Sequence, residues 1–474
     1  MRSRFLSAYD PMNSLRNRES LKYWLICVLA VAAASACAAL DRQPNADYRA
    51  RREALSKKLN GGVAVLFANT EAEGPNATYG FRQDNNFYYL TGWAEPGAAL
   101  VISAQVTGHE GISSRQYSEI LFLPVHNLKQ ERWTGPKLAA DNPNAPAISG
   151  VDRVVNLDQM PSELARTLTG GTAAVYTDLT PDGETSTSAS ALEWLRRTNS
   201  FPLRTSMHDV KPLLAELRVV KDQGEVDRIR HATDASIAAH MAALQMIKPG
   251  INEHDVDARM QYEFLKGGCE RPAYAPIVGA GANSTVLHYS TDDGPINAGD
   301  VVVMDVAGEY AMYASDITRT APATGKFTPR QREIYDIVLG AQQAVIASFR
   351  SGHSSLTGRG RDSLSQVAYD YINSHGKDLH GQPLGQYFIH GVGHYVGLAV
   401  HDVGDPQAPI PRGAIFTVEP GIYIPEEKIG IRIEDIVWVS PDGKLVNLTA
   451  ALPHTAEEVE AVMAGKSAAK PKAE

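Results

Sequence analysis

The sequence contains little cysteine, and this scarcity excludes a fold held together by disulfides. Three cysteines occur in 474 residues. Cys27 and Cys37 lie close to the N-terminus, so Cys269 is the single cysteine in the body of the chain. An intramolecular disulfide cannot form within the body, and an oxidising destination is therefore allowed but not required.

The chain also lacks an excess of positive charge and any repeat of solenoid length. Its 45 Lys and Arg residues against 54 Asp and Glu residues give a formal net charge of −9, and no basic stripe with interleaved aromatic residues occurs. These absences argue against a nucleic-acid-binding face and against a repeat architecture. A hydrophobic content of 43% with 21% charged residues is typical of a soluble globular protein. The length exceeds that of one ordinary core, so two domains are expected.

Residues 1–45 differ in composition from the rest of the chain. Basic residues between Arg2 and Lys22 precede an uncharged run from Tyr23 to Leu40, with small residues around Ser35. A positive flank, an apolar centre and small residues predict an export signal, or a retained anchor whose positive side stays inside. Cys37 is a candidate lipidation site, and a buried helix is the alternative interpretation. We expect an exported protein that contacts a membrane only through this segment, if the segment is uncleaved or lipidated.

Two domains are expected between residues 46 and 462. From 46 to 208, short apolar runs bounded by turn residues alternate with helical segments, which predicts an α/β domain. From 209 to 462, helices and strands come in blocks, which predicts an α+β domain with antiparallel strands. The basic tail at 463–474 is expected to be disordered. The strands predicted in the first domain are 62–67, 99–102, 119–123 and 173–176, followed by a surface loop at 181–190.

Capping and breaking residues mark the helices of the second domain. Asn252 is a good helix cap, Thr328 and Gln331 form a capping box, and Gly376 ends a helical pattern. Strand patterns rich in apolar residues come later in the chain. The predicted elements are helices at about 221–247, 252–267, 329–345 and 363–375, and strands at 415–419 and 431–437.

A pair of acids in the stretch Val301–Thr320 is the first candidate for chemistry. Asp305 ends an apolar run, and Asp316 follows eleven residues later. The runs on either side of Gly308-Glu309 predict a β-hairpin, which in the right register brings both carboxylates to one face of a sheet. Two such carboxylates repel each other unless a cation lies between them. The alternative interpretation is a salt bridge to an arginine such as Arg319.

Three further stretches carry polar groups that a core does not favour. Residues His390–His401 hold three histidines spaced by glycines, and Glu419 ends an apolar strand before a Pro-Gly turn. Glu434 lies on a strand that alternates apolar and charged residues. Taken singly, these residues have plain explanations, namely a solvated glutamate, a hydrogen-bonded histidine, and an ion pair between Arg432 and Glu434.

Taken together, the acids and one histidine form a set of four carboxylates and one imidazole. Such an oxygen-rich set suits manganese, cobalt or zinc better than copper, and carboxylates can bridge two ions. Two divalent ions held in this way activate water for attack on a carbonyl, so the set predicts metal-assisted hydrolysis. Its members are Asp305, Asp316, His394, Glu419 and Glu434.

In these contexts, the order Asp, Asp, His, Glu, Glu resembles the aminopeptidase P family of pita-bread metallopeptidases, the bacterial Xaa-Pro aminopeptidases in particular. The resemblance covers nearly all of the chain after residue 45. Phe81–Gly92 and Arg132–Gly135 resemble the N-terminal α/β domain of that family, which methionine aminopeptidases lack. Creatinase shares the pita-bread fold but lacks the metal ligands. The matching stretches of the second domain are Val278–Gly281, Leu287–Tyr289, Asp316–Thr320, Gln331–Tyr335, His390–His401, Glu419–Tyr423 and Gly430–Asp435.

The resemblance implies a role for each residue of the ligand set. Asp305 would chelate one ion, while Asp316 and Glu434 would bridge the two ions. His394 and Glu419 would complete the shell of the second ion. Glu419 would also act as the general base on the bridging water.

Five more residues are implied around the substrate. His288 and His401 would donate hydrogen bonds to the substrate and stabilise the oxyanion. His390, Tyr423 and Arg432 would shape the proline side of the cleft or support the ligands from behind. A dedicated pocket is expected because the nitrogen of proline carries no N–H for an enzyme to hold.

The implied function is that of an exopeptidase that removes an N-terminal residue followed by proline. A hydroxide bridging two divalent ions would attack the scissile carbonyl, with manganese as the expected metal and cobalt or zinc as alternatives. An Xaa-Pro dipeptidase (prolidase) is the alternative function, and a non-catalytic pita-bread binding module is a more remote one. The family further implies a homo-oligomer, dimer or tetramer, acting on peptides with proline in second position. With the export segment, the expected location is periplasmic, or membrane-anchored and facing the periplasm.

Overall fold

The computed structural model describes residues 40–70, 80–104, 117–168, 174–179, 195, 205–358 and 360–466. Residues 1–39 of the predicted export segment lie outside the described residues. The predicted loop at 181–190 and residues 467–474 of the predicted tail lie outside them as well. No helix among the described residues combines the length and the apolar composition needed to cross a membrane.

A mixed sheet forms the centre of the N-terminal half. Its strand order is β4-β3-β2-β1-β5-β6, in which β1, β2 and β3 are antiparallel neighbours and the other pairs are parallel. The four predicted strands are confirmed, and the last strand crosses the domain boundary predicted at residue 208. The strands are β1 (Val63–Phe67), β2 (Ala99–Ser103), β3 (Ser118–Leu123), β4 (Arg153–Asn156), β5 (Ala174–Thr177) and β6 (Ser206–Asp209).

Alternate residues of these strands build the N-terminal core. Val63 and Val65 of β1 share one buried cluster with Val101 of β2 and Phe122 of β3, as expected for a strand period of two. The apolar side of the helix Met160–Leu168 covers this cluster. The helices of this half are α1 (Asn45–Lys58), α2 (Asn85–Thr91), α3 (Leu128–Thr134), α4 (Ala145–Ser149) and α5 (Met160–Leu168), with a 3-10 turn at Leu157–Gln159.

Helix α1 is anchored by a buried arginine as well as by apolar residues. The Nε of Arg52 lies 2.7 Å from Oε2 of Glu119, and both side chains are fully buried. The same guanidinium donates to the carbonyl oxygens of Leu90 at 2.8 Å and Gly150 at 2.7 Å. Because the charge is paired and its N–H groups are bonded, the cost of burying it is offset.

Long helices cover the strands of the C-terminal half. The expected cap at Asn252 and the expected capping box of Thr328 and Gln331 are both present, and Asp255 completes a second capping box with Asn252. The helices of this half are α6 (Lys211–Arg218), α7 (Gln223–Met246), α8 (Glu253–Lys266), α9 (Pro329–Ser348), α10 (Leu364–His375) and α11 (Ala456–Met463), with 3-10 turns at Gly281–Thr285 and Leu384–Tyr387. The predicted helices, α7, α8, α9 and α10, are confirmed to within a few residues, whereas α6 and α11 were not predicted.

Every strand pair described in this half is antiparallel, which confirms the predicted α+β domain. The strands form small sheets of order β12-β9-β8, β11-β10-β7, β13-β16-β17 and β14-β15. One apolar core joins them to helices α7 to α10. The strands are β7 (Arg271–Pro272), β8 (Ile277–Ala280), β9 (Val301–Asp305), β10 (Gly308–Tyr310), β11 (Tyr313–Ala314), β12 (Thr318–Pro322), β13 (Ile415–Val418), β14 (Gly421–Ile424), β15 (Ile429–Arg432), β16 (Asp435–Val439) and β17 (Leu445–Asn447).

The predicted hairpin turn at Gly308-Glu309 is wrong, although its two outer strands pair as expected. Strand β9 pairs with β12, with Asp305 opposite Thr318. Gly308 and Glu309 belong to β10, and the chain reverses at Ala311-Met312, where both φ angles are positive at 50° and 72°. Gly308 is needed for packing, because a Cβ there would lie 2.6 Å from the Sγ of Cys269.

The prediction of a single strand at 431–437 is also wrong, because this segment contributes to two strands. Strand β15 pairs with β14, whereas β16 pairs with β13 in a different sheet. The chain changes sheet at Ile433-Glu434, where the backbone N–H of Glu434 donates to the carbonyl of Thr318 at 3.1 Å. Glu434 therefore belongs to neither strand ladder.

Candidate metal centre

Strand ends bring the predicted ligands towards one point. Asp305 is the last residue of β9, and Asp316 precedes β12, the antiparallel partner of β9. Glu419 directly follows β13, and Glu434 lies at the switch between β15 and β16. The backbone N–H of Thr417 in β13 donates to the carbonyl of His394, which fixes the histidine beside the sheet.

The tightest group consists of three of the five predicted ligands. Asp316, His394 and Glu434 each offer one donor atom, and these atoms lie within 4.8 Å of one another. His394 Nε2 lies 3.2 Å from Asp316 Oδ2 and 3.4 Å from Glu419 Oε1. Four carboxylate and imidazole groups therefore converge on a space of the size that a cation needs.

Asp305 lies in the same cavity but is held by two neighbours. Its Oδ1 accepts a hydrogen bond from the hydroxyl of Tyr274, and its Oδ2 accepts one from Nη2 of Arg432, both at 2.6 Å. A cavity of about 510 Å³ is lined by all five predicted ligands together with His288, His390 and His401.

The pKa values of the acids indicate a site that is stabilised by positive charge. Burial raises the pKa of Asp316, and burial together with nearby acids raises the pKa of Glu419 and Glu434. Burial lowers the pKa of His394, but the hydrogen bond and charge of Asp316 outweigh it and raise that pKa to about 9. The carboxylates and the imidazole thus compete for protons in the absence of another cation.

One buried carboxylate oxygen of the site has no hydrogen-bond partner among the described residues. The Oε2 of Glu434 accepts a hydrogen bond from Thr318 Oγ1 at 2.7 Å, whereas its Oε1 is buried and accepts none. An unpaired buried carboxylate oxygen is costly unless a ligand completes it. Crowded acids, one imidazole and this open oxygen fit divalent cations, in agreement with the predicted donor set.

The alternative pairing of the two acids with Arg319 is wrong. The guanidinium of Arg319 is fully buried and pairs with Asp435 at 2.7 Å instead. It also donates to the carbonyl oxygens of Glu434 at 2.6 Å and Pro453 at 2.8 Å. Arg319 therefore stabilises the backbone at Ile433-Glu434, where the chain changes sheet. The arginine that pairs with Asp305 is Arg432.

Of the residues predicted on the substrate side, four line the cavity and one is buried behind them. His288, His390, His401 and Arg432 line the cavity, whereas Tyr423 is buried behind them. The Tyr423 hydroxyl lies 2.9 Å from His390 Nε2 and accepts a hydrogen bond from Arg432 Nη1 at 2.9 Å. His390 Nδ1 contacts the carbonyl of Gly391, so Tyr423 acts as the donor to Nε2.

The loop that carries His288 is held by one buried carboxylate. Glu253, at the start of α8, accepts hydrogen bonds from the backbone N–H groups of Ala280 and Gly294, both at 2.7 Å. It also accepts one from the hydroxyl of Tyr289 at 2.9 Å. The segment on both sides of His288 is therefore tied to the helix.

Sequence reasoning missed Tyr274, Thr318 and Glu253. Thr318 lies within the matched Asp316–Thr320 stretch, but no pattern around Tyr274 or Glu253 distinguishes them from ordinary core residues. Their role depends on contacts between segments far apart in the chain, which a motif does not encode.

Two family models match the chain. Metallopeptidase family M24 matches residues 227–441, and the aminopeptidase P N-terminal domain matches residues 48–176. The chain is 34% identical over 449 residues to an Xaa-Pro aminopeptidase of Escherichia coli, covering 88% of this chain and 97% of the relative. It is 32% identical over 447 residues to an Xaa-Pro aminopeptidase of Haemophilus influenzae, covering 90% and 98%.

The fold agrees with these sequence matches. The structure of aminopeptidase P from Escherichia coli with the inhibitor Pro-Leu superposes with a TM-score of 0.77 at 32% identity, covering 90% of this chain and 99% of the other. That match includes both halves of the chain, in agreement with the two family models. The chain belongs to the aminopeptidase P family of M24 metallopeptidases.

Proposed function

We propose that this protein is a metal-dependent exopeptidase that hydrolyses the bond between an N-terminal residue and a following proline. The observation that carries the proposal is the convergence of Asp316, His394 and Glu434 in one cavity of about 510 Å³. Relatives named Xaa-Pro aminopeptidases match 88% and 90% of the chain that forms this cavity.

We assign the metal site to the five residues predicted from the sequence. Asp305 would hold one ion, Asp316 and Glu434 would be shared by two ions, and His394 and Glu419 would complete the second. When bound, divalent ions supply Lewis-acid polarisation of a carbonyl and a water of lowered pKa. The oxygen-rich donor set favours manganese, with cobalt and zinc as the alternatives.

Glu419 is the group to which we assign proton transfer. Its Oε1 accepts a hydrogen bond from Thr417 Oγ1 at 3.1 Å, which orients the carboxylate towards the cavity. Because burial raises its pKa, Glu419 holds a proton more readily than an exposed glutamate does. It takes the proton from the attacking water and delivers it to the proline nitrogen, which must be protonated to leave as an amine.

The imidazoles on the cavity wall bind the substrate. His401 and His288 both line the cavity, and burial lowers the pKa of His401, which favours a neutral imidazole that donates through one N–H. Such donors stabilise the negative charge that develops on the carbonyl oxygen. His390, held by Tyr423, forms a rigid part of the same wall.

A comparison of peptide lengths tests the activity. With added manganese, we expect cleavage of the tripeptide Ala-Pro-Ala and loss of activity by at least about 100-fold in Glu419→Gln. Cleavage restricted to the dipeptide Ala-Pro would support the dipeptidase alternative and contradict the proposal. A purified protein that binds no divalent metal and stays inert with manganese would support the non-catalytic alternative.

We further propose that the protein is exported and acts in the periplasm or on its membrane face. The charged flank and apolar run within residues 1–45 support this location. Fractionation of cells that express the full chain and a chain without residues 1–45 tests it, and equal retention of both in the cytoplasm contradicts it. A homo-oligomer, dimer or tetramer, is proposed from the family alone, and light scattering of the purified protein measures it.

A further inference from the structure

An arginine of the N-terminal half forms a hydrogen bond with the segment from His394 to His401. Arg82, which precedes α2, donates from Nη2 to the carbonyl oxygen of Leu398 at 2.6 Å. Its Nε lies 2.8 Å from Oε2 of Glu309, and its Nη1 donates to Asn85 at 2.9 Å. One guanidinium therefore connects the start of α2, strand β10 and the histidine-bearing segment, here called the histidine loop (residues 394–402).

A second connection holds the end of the histidine loop. The carboxylate of Asp402, whose side chain is 1% exposed, pairs with Arg218 at 2.5 Å and with Lys221 at 2.7 Å. Arg218 also donates to the side chain of Asn86 in α2 at 2.6 Å. Although burial raises the pKa of Asp402, Lys221 and Arg218 outweigh it and hold that pKa below its usual range. The loop thus ends in a buried, ionised carboxylate fixed by two cations.

The histidine loop fits closely around this carboxylate. A Cβ built on Gly397 would overlap the carboxylate of Asp402 and lie 2.7 Å from Nζ of Lys221. The backbone N–H of Asp402 donates to the carbonyl of Tyr395 at 2.8 Å, and that of Ala314 donates to the carbonyl of Gly397 at 2.8 Å. These contacts leave little freedom for the residues between the two ends of the loop.

The contacts of the histidine loop fix the position of His401, which directly precedes Asp402. Its ring lies 4.0 Å from the ring of His394, centroid to centroid, and it lines the cavity of the candidate metal centre. The imidazole of His401 is only partly covered and forms no hydrogen bond among the described residues, so the backbone that carries it is the main constraint on its position. A loop held at Leu398 and Asp402 fixes that backbone on both sides of His401.

We propose that Arg82 and Asp402 are positioning residues that act on catalysis through His401, so that the N-terminal domain is a working part of the active site. The inference rests on the proposed function, in which His401 donates to the reacting carbonyl. The N-terminal domain then supplies more than packing, because its guanidinium holds the loop that presents this donor.

Arg271 provides a matched control. It bridges the same two halves, with Nε 3.4 Å from Glu309 and Nη2 donating to the carbonyl of Phe81 at 3.1 Å. Among the described residues, Arg271 forms neither a hydrogen bond nor an ion pair with the histidine loop. Arg82→Met and Arg271→Met therefore each remove one partner of Glu309. Arg82→Met also removes the bonds to Leu398, Asn85 and Met312, and of these only the bond to Leu398 reaches the histidine loop.

The experiment measures kcat and KM for Ala-Pro-Ala with manganese in the full chain. A displaced donor lowers kcat, and we expect Arg82→Met to lose about 10- to 100-fold in kcat, whereas Arg271→Met stays within about twofold of the wild type. Asp402→Asn should reproduce the loss. Bound manganese and the melting temperature of Arg82→Met should match those of Arg271→Met.

A double-mutant cycle with His401→Ala distinguishes positioning from general loosening. If Arg82 acts through His401, Arg82→Met should cause no further loss in a His401→Ala background. Independent, multiplicative losses would overturn the proposal, as would equal losses in Arg82→Met and Arg271→Met. An inactive wild type would instead reject the proposed function, so the two failures are distinguishable.

Discussion

The hydroxyl of Tyr274 offers a sharp test of how the metal centre is organised. Tyr274→Phe removes one oxygen atom and leaves the ring in place. The hydroxyl donates to Oδ1 of Asp305 at 2.6 Å, and the side chain lies against the cavity. Asp305 retains its second contact, from Arg432 to Oδ2. The substitution therefore frees one oxygen of a predicted ligand without removing the ligand.

The expected magnitude follows from the type of hydrogen bond. A bond to a charged group contributes about 1.5–3 kcal/mol, and this one orients a carboxylate in a buried site. Since about 1.4 kcal/mol corresponds to a tenfold change in a dissociation constant, Tyr274→Phe should weaken manganese binding about 10- to 100-fold. Calorimetric titration of manganese into metal-free protein measures this directly.

The control is a buried tyrosine that forms no hydrogen bond with a predicted ligand among the described residues. Tyr335 donates its hydroxyl to the carbonyl of His454 at 2.8 Å and is fully buried, whereas Tyr274 is partly buried. Tyr335→Phe should cost stability of the same order but leave manganese affinity within about twofold. Equal manganese affinity in Tyr274→Phe and the wild type would refute the view that Tyr274 orients Asp305. Equal weakening in both variants would show a loss of stability instead.

Three further predictions concern groups outside the ligand set. Arg52→Ala removes the main partner of the buried Glu119 carboxylate, which keeps the longer contact with Arg49 at 3.7 Å and a bond from the backbone N–H of Asp152 at 3.3 Å. The substitution should lower the free energy of unfolding by about 3–5 kcal/mol, whereas Lys57→Ala, at an exposed pair, should cost less than about 1 kcal/mol. Glu253→Gln replaces an acceptor of backbone N–H groups beside the His288 loop, and it should lower kcat together with a loss of about 1–3 kcal/mol in unfolding free energy. Burial raises the pKa of Asp292 to about 7. The folded protein therefore binds more protons than the unfolded chain, whose aspartate has a pKa of about 3.9, and stability should fall as the pH rises between these values. In Asp292→Asn this fall should be smaller, as measured by urea unfolding at about pH 5 and about pH 8.

Each of these expectations has a clear contrary result. Equal unfolding free energies for Arg52→Ala and Lys57→Ala would contradict the assignment of a buried ion pair. Full activity of Glu253→Gln would show that the His288 loop keeps its shape without that carboxylate. An identical pH dependence in Asp292→Asn and the wild type would show that Asp292 does not titrate in this range.

The sequence was sufficient to predict the elements that depend on local patterns. The strands β1, β2 and β3 follow from apolar runs between turn residues, and the helix starts at Asn252 and Thr328 follow from capping chemistry. The convergence of Asp316, His394 and Glu434 follows from family motifs. The roles of the individual ligands and of the substrate-side residues stay predictions.

Features that depend on pairing between distant segments were not predictable in this way. The turn at Ala311-Met312 has no glycine, and its positive φ angles follow from the tight pairing of β10 with β11. The change of sheet at Ile433-Glu434 depends on which partners β15 and β16 find, and both partners lie elsewhere in the chain. A strand pattern gives the period of the side chains but does not identify the neighbouring strand.

The contacts of Arg319 make the site depend on the C-terminal end of the catalytic domain. Its guanidinium holds the backbone of Glu434 and is itself held by the carbonyl of Pro453 and, at 3.2 Å, by the ring of His454. A chain still emerging from the ribosome lacks these last partners until they have been synthesised. We therefore expect a chain that ends before Pro453 to hold Glu434 less firmly and to bind metal more weakly than the full chain.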